Sequence, residues 1–338
     1  MTPFQYVRAT DVADAIVAAG GDPGTSYIAG GTNLLDLMKE KVARPRRLVD
    51  ITRLPLDRIV ERPDGGLSIG ALVPNSRLAW HPLIEARYPL MSSALLAGAS
   101  PQIRNMATTG GNLLQRTRCL YFYDPATPCN KRAPGSGCAA REGLNRAHAI
   151  LGASEHCVAV HPSDLCVALA ALGAEVRVAG PAGERLIPLT DFHRLPGDRP
   201  ERDTMLEPGE LVLAVELPPP LFPRHYTYLK LRDRLSFAFA LVSVAVGLAM
   251  EGDTVMVARI ALGGVAPRPW RVPAAEALLE GHRPARDRFA AAADALLEGA
   301  RPLAHNGFKV DMARRAIVRA LGQAAAATPQ SQSDKRIA

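Results

Sequence analysis

The 338-residue sequence predicts an α+β protein in two parts. Glycine-rich turns join strands to helices in the first part, and a three-stranded antiparallel sheet with helices builds the smaller second part. Three observations carry that expectation. Tyr27-Ile28-Ala29 runs as a short strand into Gly30-Gly31-Thr32-Asn33, and a helical segment over 34–41 follows. Pro218-Pro219-Pro220 and Pro223 interrupt the chain as a boundary between domains would. Beyond them, residues 226–232, 237–250 and 255–262 follow one another as the strands of a meander.

The remaining elements fall between these marks. Thr10 can cap a helix through Ala19, which Gly20-Gly21 ends, because glycine tolerates the left-handed turn that closes a helix. Leu48-Val49-Asp50-Ile51 is a second strand, and residues 67–73, after Asp64-Gly65-Gly66, form one arm of a hairpin. Asn75 or Ser76 opens a helical stretch to Ala99, broken at Pro82 and Pro89. A second glycine turn, Thr108-Thr109-Gly110-Gly111-Asn112, comes next. Residues 116–161 show no sustained period of 2 or 3.6, and a loop that long needs something to order it. Ser163 caps a helix over 165–172, residues 174–179 and 185–189 pair around Pro181-Ala182-Gly183, and 210–217 is a further strand. Helices at 274–279, 286–300 and 310–321 follow the meander. The domains expected are therefore 1–220, carrying the loop 116–161 as an insertion, and 224–324. The polar, alanine-rich tail 325–338 is expected to be disordered.

Composition narrows the function classes. Hydrophobic residues at 48% and charged residues at 22% are ordinary for a globular protein. No apolar run has the length of a membrane span, and the longest, 237–250, is interrupted by Ser243 and Gly247 and reads as a buried strand. A net charge of +7 suggests nucleic acid, but the arginines are scattered and no basic helix or aromatic–basic motif appears. The excess charge is left to face partner subunits or anionic cofactors. Met1-Thr2-Pro3-Phe4-Gln5 lacks the basic segment and apolar core of a secretory signal, so the expected location is the cytoplasm, unless the chain is exported folded with a signal-bearing partner.

Glycines between a strand and a helix let backbone N–H groups approach an anion, and the helix dipole adds to the attraction. Two such turns, at 29–33 and 108–112, could grip the two phosphates of a dinucleotide. Plain turn chemistry is the competing reading of each, and neither matches the G-x-G-x-x-G fingerprint. In order along the chain, Tyr27-Ile28-Ala29-Gly30-Gly31-Thr32-Asn33-Leu34, Ile69-Gly70-Ala71, Thr108-Thr109-Gly110-Gly111-Asn112 and Pro162-Ser163-Asp164 resemble the flavoprotein subunit of the xanthine dehydrogenase family of molybdenum hydroxylases.

The resemblance implies a FAD-binding domain of the vanillyl-alcohol-oxidase (PCMH) type with two subdomains, followed by the family's C-terminal domain. It also implies a site. Ser26, Tyr27, Ile28, Ala29, Gly30, Gly31, Thr32, Asn33 and Leu34 would wrap the pyrophosphate, mostly through backbone amides. Thr108, Gly110, Gly111 and Asn112 would supply a second phosphate contact. Asp164 would serve or order the adenosine end, Lys230 would reach the flavin, and Gln115 and Val212 would line the pocket. Without the family, Lys230 is a surface strand lysine and Asp164 a first-turn acid favoured by the helix dipole. Where relatives place an aromatic against the adenine this chain has Gly98, so that stacking is absent or supplied elsewhere.

All five cysteines fall between Cys119 and Cys166. Cys166 lies on the apolar face of a capped helix and reads as core. Cys119, Cys129, Cys138 and Cys157 lie in the irregular loop, and four thiolates suffice for a [4Fe–4S] cluster. Six basic residues against three acids leave residues 116–157 at +3, which favours an anionic cluster. Zinc also takes four cysteines but usually pairs ligands a few residues apart, and an odd cysteine count without a secretion signal argues against disulfides. Within the resemblance the loop is an insertion between Asn112 and Ser163. It looks closer to the flavin/iron–sulfur subunit of periplasmic-type aldehyde oxidoreductases than to that of 4-hydroxybenzoyl-CoA reductases.

The chain presents no nucleophile or acid–base pair in a catalytic pattern, so no catalytic side chain is expected and chemistry belongs to the cofactors. The function implied is an electron-transfer subunit with FAD and a [4Fe–4S] cluster. Its partners would be a molybdenum-cofactor large subunit and a [2Fe–2S] small subunit in a heterotrimer, with an external electron acceptor. A self-sufficient flavin oxidase and a flavin-free assembly scaffold are the rival classes.

Overall fold

A computed structural model describes residues 1–332. Its first unit is a small parallel sheet. β1 (Gln5–Arg8) leads through α1 (Val12–Ala19) to β2 (Thr25–Ile28), and α2 (Leu34–Lys39) leads on to β3 (Arg47–Asp50) in the middle, giving the order β1-β3-β2. β1 carries no sequence signal because every one of its residues is exposed; pairing of Gln5–Arg8 to Arg47–Asp50 alone defines it. Asp11, rather than Thr10, caps α1 by accepting from the Asp14 amide, while the Thr10 amide donates back to the Asp14 carboxylate.

The second unit is a five-stranded antiparallel sheet backed by helices. β4 (Ile59–Glu61) and β5 (Leu67–Gly70) precede α3 (Asn75–Ala79), α4 (Pro82–Arg87) and α5 (Pro89–Ala97), broken at the expected prolines. Next come α6 (Pro101–Met106), the short α7 (Thr109–Leu113) in the second glycine turn, and the single turn α8 (Leu120–Tyr123). After the irregular loop, α9 (Asp164–Leu172) is capped by Ser163 as expected. β6 (Glu175–Gly180), β7 (Gly183–Pro188), the short α10 (Leu189–Phe192) and β8 (Leu211–Leu217) complete the order β4-β5-β8-β6-β7. β8 is buried at every position because strands flank it on both sides and helices pack over it. Val212 is part of that core, contrary to the expectation that it faces a pocket.

β9 (Tyr226–Leu231), β10 (Val242–Glu251) and β11 (Thr254–Gly263) form the expected antiparallel meander in the order β11-β10-β9. α11 (Pro273–Ala277), α12 (Arg286–Leu296) and α13 (Phe308–Ala325) follow it; α13 packs on the sheet, and α12 packs on α13, with Ala292, Leu296, Ile317 and Leu321 in one core. The strand expected from Phe237 starts only at Val242. Phe237 sits at φ +50°, which a strand cannot accommodate, and residues 232–241 instead form a loop over the first domain. The tail is also more ordered than expected. The Gln330 amide donates to Thr227 Oγ1 and the Gln332 side chain to the Tyr228 carbonyl, so residues 326–332 dock along β9. The rest of the tail, 333–338, lies outside the described residues. Among the described residues no helix is long and apolar enough to cross a membrane.

The irregular loop is held by more than its cysteines. Phe122, Ala140, Ile150 and Leu151 are buried, and the Ile150 and Leu151 amides both donate to the Val265 carbonyl. Lys309 is fully buried on α13, and its ammonium donates to the carbonyls of Gly264 at 2.5 Å and His148 at 2.8 Å. Asn306 donates to the His148 and Ala149 carbonyls. The loop therefore bridges the two domains rather than hanging from the first.

Candidate functional site: a two-domain cleft beside a cysteine cavity

The two domains enclose a cleft of roughly 1470 Å³, open mouth included. Its walls bring together residues far apart in sequence: Thr32 and Asn33, Gly111, Asn112 and Gln115, Asp164, and Lys230. Four cations, Arg104, Arg118, Lys230 and Arg234, face two carboxylates, Asp36 and Asp164, so the lining suits an anion. Sequence reasoning missed Arg104, Arg118 and the loop that supplies Arg234, Phe237 and Phe239. Phe237 and Phe239 open the apolar run read as a strand, so their place in the cleft follows only from the loop that replaces its start. Those rings, half-exposed at 55% and 51%, are the aromatic surface of the cleft, while Gly98 lies in its wall.

The first glycine turn presents itself as a cradle. Among the described residues, the amides of Gly30, Gly31, Thr32 and Asn33 donate to no protein acceptor. Gly31 takes φ +71°, a conformation that favours glycine. A Cβ on Gly30 would lie 1.8 Å from the Met106 carbonyl oxygen, so glycine is what lets this turn close against the end of α6. Ser26, Tyr27 and Ile28 lie behind the turn in β2, where the Tyr27 hydroxyl donates to the Gly209 carbonyl; Ala29 links strand to turn and Leu34 begins α2.

The second turn is tied up internally. Thr109 and Gly110 amides donate to Val73 and Ala71 carbonyls at 2.9 and 2.8 Å, and Gly111 and Asn112 amides to the Thr108 side chain and carbonyl. The Ser163 hydroxyl donates to Asn112 Oδ1 at 2.6 Å, and Gln115 donates to the same oxygen. Only one face of Gly111, with Asn112 and Gln115, reaches the cleft; Thr108 and Gly110 hold the turn from behind.

Asp164 and Lys230 meet directly. The ammonium lies 2.7 Å from Asp164 Oδ2, and Tyr228 donates to Oδ1 at 2.6 Å. The Lys230 side chain is only 2% exposed, which rules out a surface lysine. It also donates to the Ala97 carbonyl at 3.2 Å, and Arg232 donates to that carbonyl as well. The pair forms the cleft's floor, joining α5, α9 and β9. Burial and the Asp164 charge hold the Tyr228 phenol well above its usual range, so it stays a donor.

Cys119, Cys129, Cys138 and Cys157 line one cavity of roughly 280 Å³, with Cys129 and Cys138 facing each other across an antiparallel bridge. No three of their sulfurs approach within 4.8 Å of one another, whereas a tetrahedral zinc site would set sulfurs roughly 3.8 Å apart. Burial pushes the Cys119 thiol up to about 12 and raises Cys157, with Lys131 opposing the latter. His148 Nε2 lies 3.1 Å from Cys119 Sγ. A second cavity, of roughly 1000 Å³, borders Thr117 and Cys119 on one side and shares Arg118, Pro162, Asp164 and Phe239 with the cleft. Asn33 links the two regions as well, accepting from the Arg116 amide at 2.9 Å.

Comparison with known proteins agrees with this architecture. Residues 2–220 match the family of FAD binding domains in molybdopterin dehydrogenases, and residues 225–324 match the CO dehydrogenase flavoprotein C-terminal domain. The aldehyde oxidoreductase FAD-binding subunit PaoB of Escherichia coli is 51% identical over 96% of this chain and 99% of its own length. The glyceraldehyde dehydrogenase medium chain of Sulfolobus acidocaldarius is 28% identical over 79% of this chain and 78% of its own. Among solved structures, CO dehydrogenase from Hydrogenophaga pseudoflava superposes with a TM-score of 0.75 at 29% identity, covering 96% of this chain and 98% of the other. With both domains matched and a full-length relative at 51% identity, the chain belongs to the FAD-binding subunits of the xanthine dehydrogenase and CO dehydrogenase family of molybdenum hydroxylases.

Proposed function

We propose that this chain is the FAD and [4Fe–4S] electron-transfer subunit of a molybdenum-dependent aldehyde oxidoreductase, working with a molybdenum-cofactor large subunit and a [2Fe–2S] small subunit. The observation that carries this reading is spatial: the four-cysteine cavity and the cationic cleft are joined by a common cavity walled by Arg118, Cys119, Asp164 and Phe239. The name of the relative at 51% identity favours aldehydes as the substrate class.

Bound FAD and a bound cluster would supply electron transfer between the small subunit and an external acceptor. The chain's own residues bind, orient and insulate. The free amides of residues 30–33 receive the diphosphate, and Arg104, Arg118 and Arg234 balance its charge. Asp164 fixes Lys230 and Tyr228, which holds the floor of the cleft in shape. A polynuclear cluster would account for four cysteines around one cavity with no three sulfurs within 4.8 Å of one another, and Lys131 in the same wall would help balance its charge.

The test is purification of the complex with its co-expressed partners, followed by flavin and iron analysis. The expected change in Cys129→Ser is a loss of about four irons per chain, with FAD retained. Iron unchanged in that variant rejects the ligand set, and a complex without flavin rejects the function.

A further inference from the structure

We propose that His161, Cys166 and His193 form a second metal site, mononuclear and of the zinc(II) class, separate from the four-cysteine cavity. One ligand atom from each lies within 4.8 Å of the others, and no other such group of three occurs among the described residues. They come from three segments: the end of the inserted loop, α9, and the stretch after α10. Cys166 is fully buried.

The imidazoles supply the second, independent observation. Both ring nitrogens of His161 and Nδ1 of His193 are buried without a hydrogen-bond partner. A buried polar atom without a partner is costly, so three in one place call for a ligand. The two rings lie against each other, 4.1 Å apart between centroids and tilted by 49°. The remaining nitrogen, His193 Nε2, donates to the Leu113 carbonyl at 2.9 Å. That bond fixes the tautomer with the proton on Nε2 and the Nδ1 lone pair bare, which is how a metal-bound histidine is usually held.

The donor set selects the ion. Two imidazoles and one thiolate suit zinc, whereas calcium and magnesium need an oxygen shell. A neighbouring cavity bordered by His161, His193, Lys131 and Asp203 leaves room for a solvent molecule as fourth ligand. The ion would pin Leu113, directly after the second glycine turn, to the inserted loop and to α9. Its role is structural, and it does not depend on the cluster being present.

Zinc-edge X-ray absorption of the zinc-loaded, desalted complex tests this, because iron and flavin do not contribute at that edge. The expected result is about one zinc per chain, with one sulfur near 2.3 Å and nitrogen or oxygen near 2.0–2.1 Å. Cys166→Ala and His193→Gln should each lower retained zinc by roughly tenfold or more, with iron and FAD as in the unaltered complex. Cys166→Ala replaces one small core residue by another on an alanine- and leucine-rich helix, so it carries the test should His193→Gln fail to fold. Only trace zinc in the unaltered complex overturns the proposal and leaves the imidazoles to water. Zinc undiminished in Cys166→Ala, or bound by four sulfurs, overturns it as well by placing the ion elsewhere.

Discussion

Gly30-Gly31-Thr32-Asn33 and Gly110-Gly111-Asn112 look alike in sequence: each sets a glycine pair before an asparagine at a helix start. Folding separates them. Among the described residues, the first turn keeps four consecutive amides free and brings Thr32 and Asn33 into the cleft wall, while every amide from Thr109 to Asn112 already has an acceptor inside the protein. Their glycines answer different needs too. Gly30 permits a close approach to the Met106 carbonyl and Gly31 a left-handed φ, whereas Gly110 packs on Ala71 behind the cleft. The lesson is that a glycine turn binds an anion through the N–H groups that the fold leaves unpaired, and glycine content alone does not reveal which those are. The first turn is the cradle, and the second braces it.

Substitution can break this assignment. Gly30→Ala should have the largest effect, because the new methyl would occupy the place of the Met106 carbonyl. Pushing the turn off α6 is expected to weaken FAD binding on the order of 100-fold, or about 3 kcal/mol, read from flavin retained after desalting and from titration of the apoprotein. Unchanged FAD affinity would remove the first turn from the site. Ser163→Ala should come next. It deletes both the cap of α9 and the hydrogen bond to Asn112, so thermal stability should fall by roughly 1–2 kcal/mol while flavin content changes little. A flavin loss as deep as that of Gly30→Ala would mean that the brace and the cradle are one unit.

The fold was largely legible in sequence because its main signals are local. Prolines broke the helices at Pro82 and Pro89, Ser163 marked the start of α9, and apolar runs marked the C-terminal sheet. What escaped depends on long-range contact. β1 has four exposed residues and no pattern, and Phe237 leaves an apolar run because of a backbone angle, not because of its composition. The site divides the same way. The cysteines and the glycine turns can be found as residue types, and the resemblance supplied Asp164 and Lys230. That these two neutralise each other under the cleft is visible only in space, as is the seating of Arg118 over the Phe239 ring at 5.3 Å. The partnerless ring nitrogens of His161 and His193 carry no sequence signature, because the two residues stand 32 positions apart.

Thr108→Ala gives the finest test, because it alters the second turn without introducing new volume. The Thr108 side chain accepts from the Gly111 amide at 3.3 Å and caps α7, a contact at the weak end of hydrogen-bond geometry. Its loss should cost about 1 kcal/mol of stability, the usual worth of an N-cap. It also releases one N–H on the face of Gly111 that reaches the cleft. If the second turn is a brace, that amide gains water and FAD affinity stays within about threefold, less than 1 kcal/mol. If the second turn binds phosphate itself, a freed donor beside the anion should tighten FAD while stability still falls. Parallel measurement of melting temperature and FAD dissociation separates the two, since opposite signs in one variant cannot come from loosened packing alone.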